Sequence, residues 1–245
     1  MPDLARDHLI VALDVSNLDA AREIVTELNE LIVYYKVGPH LFESGLIDFI
    51  EELIAKDKHV FLDFKSVDIG DTMRRMASRV ANLGVEFLTV MGTAATIRAA
   101  KEGLEGAQYP KILVVTVLTD HDEEDIQREY GAGKTIKQLV IDRANTAADA
   151  GADGVICSPN EVAEVRRAVP RPGFLVVTPG VRPEWSDTDD QKRTATPGDA
   201  IGAHADFLVV GRPIIRAANK REAAERILAE MQSVIDAQQL RRAVG

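Results

Sequence analysis

One cysteine, one tryptophan and no long apolar run are the first things this sequence withholds. A lone Cys157 cannot close an internal disulfide, which argues against a small bridge-stapled scaffold and suits a reducing compartment. Hydrophobic residues make up 46% of the chain, yet no stretch approaches the roughly 18 residues of a membrane span. The charged segment 1–7 does not resemble a signal peptide, so a cytoplasmic protein without a membrane partner is expected. Positive charge is also short. With 29 Lys and Arg against 39 Asp and Glu, the net charge of −10 repels nucleic acid and anionic lipid. Any anionic substrate must therefore meet a locally positive pocket. The five histidines show neither H-E-x-x-H nor paired ligand spacing, so structural or surface roles are expected for them, and no metal site.

What is present is a regular alternation. Short apolar, β-branched runs occur at 8–15 (HLIVALDV), 32–38 (IVYYKVG), 59–65 (HVFLDFK), 87–92 (FLTVMG), 111–118 (KILVVTVL), 154–158 (GVICS), 174–180 (FLVVTPG) and 207–211 (FLVVG). Each is followed by a longer stretch with helical spacing and charged outer positions. Ser16-Asn17 and Asp71-Thr72 read as helix starts, Gly84 and Gly151 as helix stops, and 220–240 as a closing C-terminal helix. Runs apolar on both faces imply parallel strands. Eight strand-helix units over 245 residues, without a composition break, predict one α/β domain spanning 1–245, a (β/α)8 TIM barrel. A flavodoxin-like open sheet is the structural alternative, weakened because no GxGxxG follows the first run.

Several local patterns carry little. The segment 131–135 (GAGKT) invites a triphosphate-loop reading, but the glycine required five positions before Gly133 is Arg128, so a loop and the cap of the next helix are expected. Ser158 lacks a surrounding G-x-S-x-G.

In a barrel of this kind chemistry gathers at the C-terminal ends of strands, and ionisable residues fall there. Asp14 closes the first run, Lys36 the second, Asp63 and Lys65 the third, and Arg212 follows the eighth. Asp63 and Lys65, two apart on a strand, face the same way as an ion pair or a catalytic pair. Asp68 follows in the turn, giving D-x-K-x-x-D-I at a strand end. For a phosphate, Gly211 allows close backbone approach and Arg212 offers a planar fork; a glycine turn beside a surface arginine is the bland reading.

The segment FLDFKSVDIGDT resembles the signature of the orotidine 5′-monophosphate decarboxylase family. The resemblance continues through ALDV (12–15), KVGPHLF (36–42), VLT (117–119), TPGVRP (178–183), DQKR (190–193) and VGRPI (210–214). It implies a cofactor-independent decarboxylase acting on a nucleotide. Asp14 and Lys36 are then expected at the ribose hydroxyls, Asp63 near the substrate carboxylate, Lys65 as proton donor and Thr119 at the base. The phosphate falls to Gln191, Gly211 and Arg212. A homodimer is implied, in which Asp68, Ile69 and Thr72 enter the neighbouring subunit's site. The chain departs from the family pattern at Gly70, where proline is usual, and at Val90-Met91-Gly92, which replaces VHA.

Two long connections complete the expectation: a lid over 180–200 and a loop over 119–133 covering the pyrimidine. Within the lid, Arg182, Lys192 and Arg193 are read as solvated charges and Trp185 as a packing anchor. Two competing readings remain. One is a metal-dependent sugar-phosphate decarboxylase or aldolase of the same superfamily, which Lys36 disfavours because an acidic ligand is usual there. The other is a non-catalytic nucleotide-binding barrel.

Overall fold

The computed structural model describes residues 4–42, 45–131, 133–186 and 193–244. Its elements run β1 (Leu9–Ala12), α1 (Leu18–Leu28), β2 (Tyr34–Val37), α2 (Leu46–Ala55), β3 (His59–Ser66), α3 (Gly70–Ala81), β4 (Phe87–Val90), α4 (Ala94–Gly103) and β5 (Lys111–Val115). They continue with α5 (Glu123–Tyr130), α6 (Ile136–Asp149), β6 (Gly154–Ile156), α7 (Val162–Ala168), β7 (Leu175–Thr178), α8 (Pro197–Gly202), β8 (Phe207–Val210), α9 (Arg212–Ile215) and α10 (Lys220–Val244). All eight strands are parallel, each pairs with its sequence neighbour, and β1 closes on β8 through Ile10 opposite Val209. The expected barrel is the observed one.

Alternation along each strand sorts side chains into two cores. Leu9, Val11, Tyr35, Val37, Val60, Leu62, Leu88 and Val90 point outward and pack under the helices. Ile10, Ala12, Phe61, Phe87, Leu113, Val115, Ile156, Val177 and Val209 point inward and fill the barrel. At its N-terminal end an aromatic plug closes the interior: Tyr34 stacks on His59 at 4.4 Å and meets Phe207 edge-on at 5.3 Å, with Phe87 at 5.1 Å from Phe207. At the other end the inward positions turn polar, to Lys36, Asp63 and Thr89.

Caps explain most helix starts. Asn17 accepts from Ala20 N at 2.9 Å to open α1, and Thr135 accepts from Gln138 N at 3.1 Å to open α6, as the cap reading of 131–135 requires. Gly84 and Gly151 lie at φ +73° and +84°, just past α3 and α6. Two boundaries differ from expectation. Helix α3 begins at Gly70, ahead of Asp71-Thr72, with Ile69 as an uncapped flanking residue. The connection 119–133 is not all loop, because Asp122 and Asp125 form a reciprocal capping box that nucleates α5. The long α10 packs on α1, α8 and α9 and ties down the start of the chain through Ala5 N to Gln232 Oε1 at 2.8 Å.

Gly154 faces inward where β6 meets β7, and a Cβ there would lie 2.6 Å from Leu175 Cβ. Gly154→Ala is expected to destabilise the barrel by about 1–3 kcal/mol in urea unfolding, the usual cost of overpacking. An unchanged midpoint would show that the two strands can separate freely.

Candidate active site

The polar end of the barrel opens into a cavity of about 440 Å³. Its residues are delivered by strand ends, as expected. Ala12, Phe61, Val115, Ile156 and Val209 form an apolar floor, and Asp14, Lys36, Asp63, Lys65, Thr119, Gly211 and Arg212 rise around it. Ten of the sequence-chosen positions can be placed, and these seven meet in one cavity.

Four charges alternate along one wall. Lys36 Nζ lies 3.0 Å from Asp14 Oδ1 and 3.3 Å from Asp63 Oδ2, and Lys65 Nζ donates to the same Asp63 oxygen at 2.9 Å. Lys36 and Asp63 are nearly buried, at 9% and 7% exposure, so their ionisation depends on one another. Burial is the largest single influence on Lys36 and pulls its ammonium down, but the combined attraction of Asp63 and Asp14 outweighs it and leaves the group raised. Asp63 mirrors this: burial pushes it up, while Lys36, Lys65 and the hydrogen bonds from Lys65 and Thr89 together hold it below the ordinary carboxylate range. The lowered Asp63 contributes stability that is present above the usual carboxylate pKa and lost as pH falls through its own value. The raised Lys36 contributes stability present below the usual ammonium range and lost as pH rises through its own.

No sequence motif marks Thr89, a fully buried residue whose Oγ1 donates to Asp63 Oδ1 at 2.8 Å and accepts from Lys65 N at 2.9 Å. Strand alternation, which places Thr89 inward beside Asp63, was the available signal. His40 and Arg216 were also missed and line the cavity. Among the described lining residues, Lys36, Lys65, Arg182, Arg212 and Arg216 supply five cations against the two anions Asp14 and Asp63. The excess is the local positive field that an anionic ligand needs in a chain of net charge −10.

Asp68, Ile69 and Thr72 do not reach this cavity. Asp68 Oδ1 accepts from Ile69 N at 2.7 Å, and Ile69 is 74% exposed. Thr72 lines a separate apolar groove of about 800 Å³ with Phe42, Leu46, Ile47, Phe64 and Met76. Gln191 and Lys192 lie outside the described residues. Neither departure from the family pattern displaces the charged wall: Gly70 opens α3 and Val90 closes β4.

Two charges in the connection after β7 contradict the solvated reading. Arg182 is 7% exposed, lines the cavity and donates through Nη1 to Val181 O at 3.0 Å. Arg193 is 9% exposed; its Nη1 lies 2.9 Å from Glu161 Oε2, and its Nη2 donates to Leu118 O at 3.0 Å. The partners of Arg193 come from connections distant in sequence, whereas Arg182 bonds locally, and Arg182 N to Ala195 O at 2.9 Å joins the two ends of the connection after β7. Trp185 is 39% exposed, with the Arg226 guanidinium of α10 lying 4.3 Å over its ring. Burial pushes the Glu161 carboxyl up against the pull of Arg193, so this pair is stable only while both members remain. Arg193→Met should cost about 3–5 kcal/mol in chemical denaturation, and adding Glu161→Gln should return most of it. A loss under about 1 kcal/mol would place the pair with ordinary surface bridges.

Comparison with known proteins agrees with this geometry. Residues 7–227 match the model of the "Orotidine 5'-phosphate decarboxylase / HUMPS family". Orotidine 5′-phosphate decarboxylase of Nitrobacter winogradskyi is 45% identical over 229 residues, 94% of each chain. That of Rhodopseudomonas palustris strain BisA53 is 45% identical over 231 residues, covering 94% of this chain and 97% of the relative. The crystal structure of the Lactobacillus acidophilus enzyme superposes with a TM-score of 0.80 at 36% identity, covering 92% of this chain and 99% of that one. By sequence match over most of its length, and by the barrel that the match presupposes, this chain belongs to the orotidine 5′-phosphate decarboxylase / HUMPS family.

Proposed function

We propose that the chain decarboxylates orotidine 5′-monophosphate to uridine 5′-monophosphate, a step of de novo pyrimidine biosynthesis, without a cofactor and in the cytoplasm. The observation that carries this reading is the alternating row Asp14, Lys36, Asp63, Lys65 at the barrel mouth, in a chain whose relatives bear that activity in their names.

The chemistry asks for such a row. Breaking the bond between C6 and the carboxylate leaves an electron pair in the plane of the ring, where the π system cannot spread it, and no side chain is an electron sink. The Lys65 ammonium faces the developing carbanion, stabilises it, and transfers its proton to C6 as CO2 departs. Solvent then reprotonates the amine. Asp63 sits against the departing carboxylate with like charge, a repulsion that ends when CO2 leaves. One ion pair at 4 Å is worth about 4 kcal/mol at an effective dielectric near 20, short of the roughly 8–23 kcal/mol that enzymes remove from barriers. The remainder comes from remote contacts. Asp14 and Lys36 hold the ribose, Thr119 the base, and Gly211, Arg212 and Gln191 the phosphate, so that binding energy is applied at the reacting carbon.

The working unit in this reading is a homodimer with shared active sites, Asp68, Ile69 and Thr72 of each subunit entering the neighbouring cavity. Two features support it. These residues are exposed outside their own cavity, and the apolar groove beside them is lined by Phe42 and Ile47, 78% and 47% exposed, a surface suited to burial against a second copy.

A sugar-phosphate reaction assisted by a metal fits less well. Lys36 Nζ already occupies the space between Asp14 and Asp63, where a bridging cation would have to sit. Among the described residues no group of three or more His, Cys, Asp or Glu side chains is placed to share an ion. The test is loss of orotidine 5′-monophosphate with EDTA present. Turnover should survive chelation, and Lys65→Ala should lower kcat by at least about 10²–10⁴-fold while the melting temperature holds. Loss of activity on chelation would favour the sugar-phosphate chemistry, and near-normal turnover of the variant would remove Lys65 from its role.

A further inference from the structure

Strands β3 and β4 do not run in step. Leu62 pairs with Leu88 and Ser66 with Val90, so Asp63, Phe64 and Lys65 stand opposite Thr89 alone. Two surplus residues force a bulge on β3, after which Met91 N to Ser66 O at 2.9 Å resumes the ladder. Inside the bulge Lys65 adopts φ +48°, a left-handed conformation that a lysine disfavours and that tends to persist only where its surroundings impose it. The direction of the Lys65 side chain therefore follows from this backbone twist and not from regular strand pleating.

Thr89 fills the gap. Its Oγ1 accepts from the Lys65 N–H, a donor that the broken ladder leaves without a strand carbonyl, and donates a hydrogen bond to Asp63 Oδ1. A hydroxyl has one proton and two lone pairs, so both bonds form together; acceptance from Lys65 aims the proton at the carboxylate. With Oδ1 thus occupied, Oδ2 is the oxygen that Lys36 and Lys65 share.

We infer that Thr89 is a positioning residue for the decarboxylation, latching the backbone of Lys65 and the plane of the Asp63 carboxylate at once; the identity of the reaction rests on the function proposed above, the latch on geometry. The latch needs the hydroxyl and not the methyl group. Valine of the same shape cannot make either bond, while serine can make both.

The experiment compares wild type, Thr89→Val and Thr89→Ser in steady-state turnover of orotidine 5′-monophosphate across pH, alongside thermal melts. For Thr89→Val, kcat should fall on the order of 10–100-fold, the range of a lost hydrogen bond to a charged group. KM should stay within about 3-fold, as expected when an interaction of the reacting state is lost. The acid limb of the kcat profile should move to higher pH, because Asp63 loses one of the bonds that keep it ionised. Thr89→Ser should recover most of the rate. A kcat for Thr89→Val within about 2-fold of wild type, far less than a bond to a charged group is worth, overturns the inference. So does a serine variant no better than valine, or a loss that tracks the melting temperature without a pH shift. If wild type itself leaves the nucleotide intact, the proposed function falls, and the latch is then decided by a crystal structure of Thr89→Val. Lys65 still left-handed with Nζ on Asp63 overturns the inference; relaxation of that φ or loss of that contact supports it.

Discussion

Asp63 is held from three directions at the polar end of the barrel: Lys36 and Lys65 lie against one oxygen and Thr89 donates to the other. A carboxylate at 7% exposure is costly to keep ionised, and two ammonium groups and a hydroxyl offset that cost. The arrangement constrains its partners in turn. Lys36 is buried among the same groups, and attraction to Asp63 and Asp14 offsets the burial that would pull its ammonium down. The wall is thus a single electrostatic unit in which the charge of each buried member depends on its neighbours.

The fold supplies such a unit through pleat and layering. Inward side chains stack from an aromatic plug through an aliphatic middle to a polar rim, so the charged residues sit on a packed apolar base. Regular pleating does not suffice at the point of chemistry. There β3 gains two residues over β4, and the reactive lysine is set by a bulge instead of by strand periodicity. Across the cavity the load is different. Arg182, Arg212 and Arg216 give the opening its positive sign, while the buried Arg193 and Glu161 join the connection after β7 to those after β5 and β6.

The barrel was legible because both-face apolar runs and helical spacing are local signals that repeat eight times. The charged residues at strand ends were legible for the same reason, since position on a strand fixes which end of the barrel they occupy. What escaped depends on partners far along the chain. Nothing in DQKR reveals that Arg193 meets Glu161 and the Leu118 carbonyl, and nothing in FLDFKS reveals the register of β4. Asp63 and Lys65 do meet as their spacing implies, but the contact is set by the bulge as well as by strand pleating. The α5 helix is a different kind of miss, because its Asp122 to Asp125 capping box was present in the sequence and local.

The most direct measurement of the central claim is a crystal structure of the protein with uridine 5′-monophosphate bound. Pyrimidine C6 is expected about 3–3.5 Å from Lys65 Nζ, the separation of groups poised to react, with Asp63 beside the position the carboxylate vacates and the phosphate on Arg212. A nucleotide seated with C6 turned away from Lys65, or bound outside the mouth of the barrel, would contradict the account.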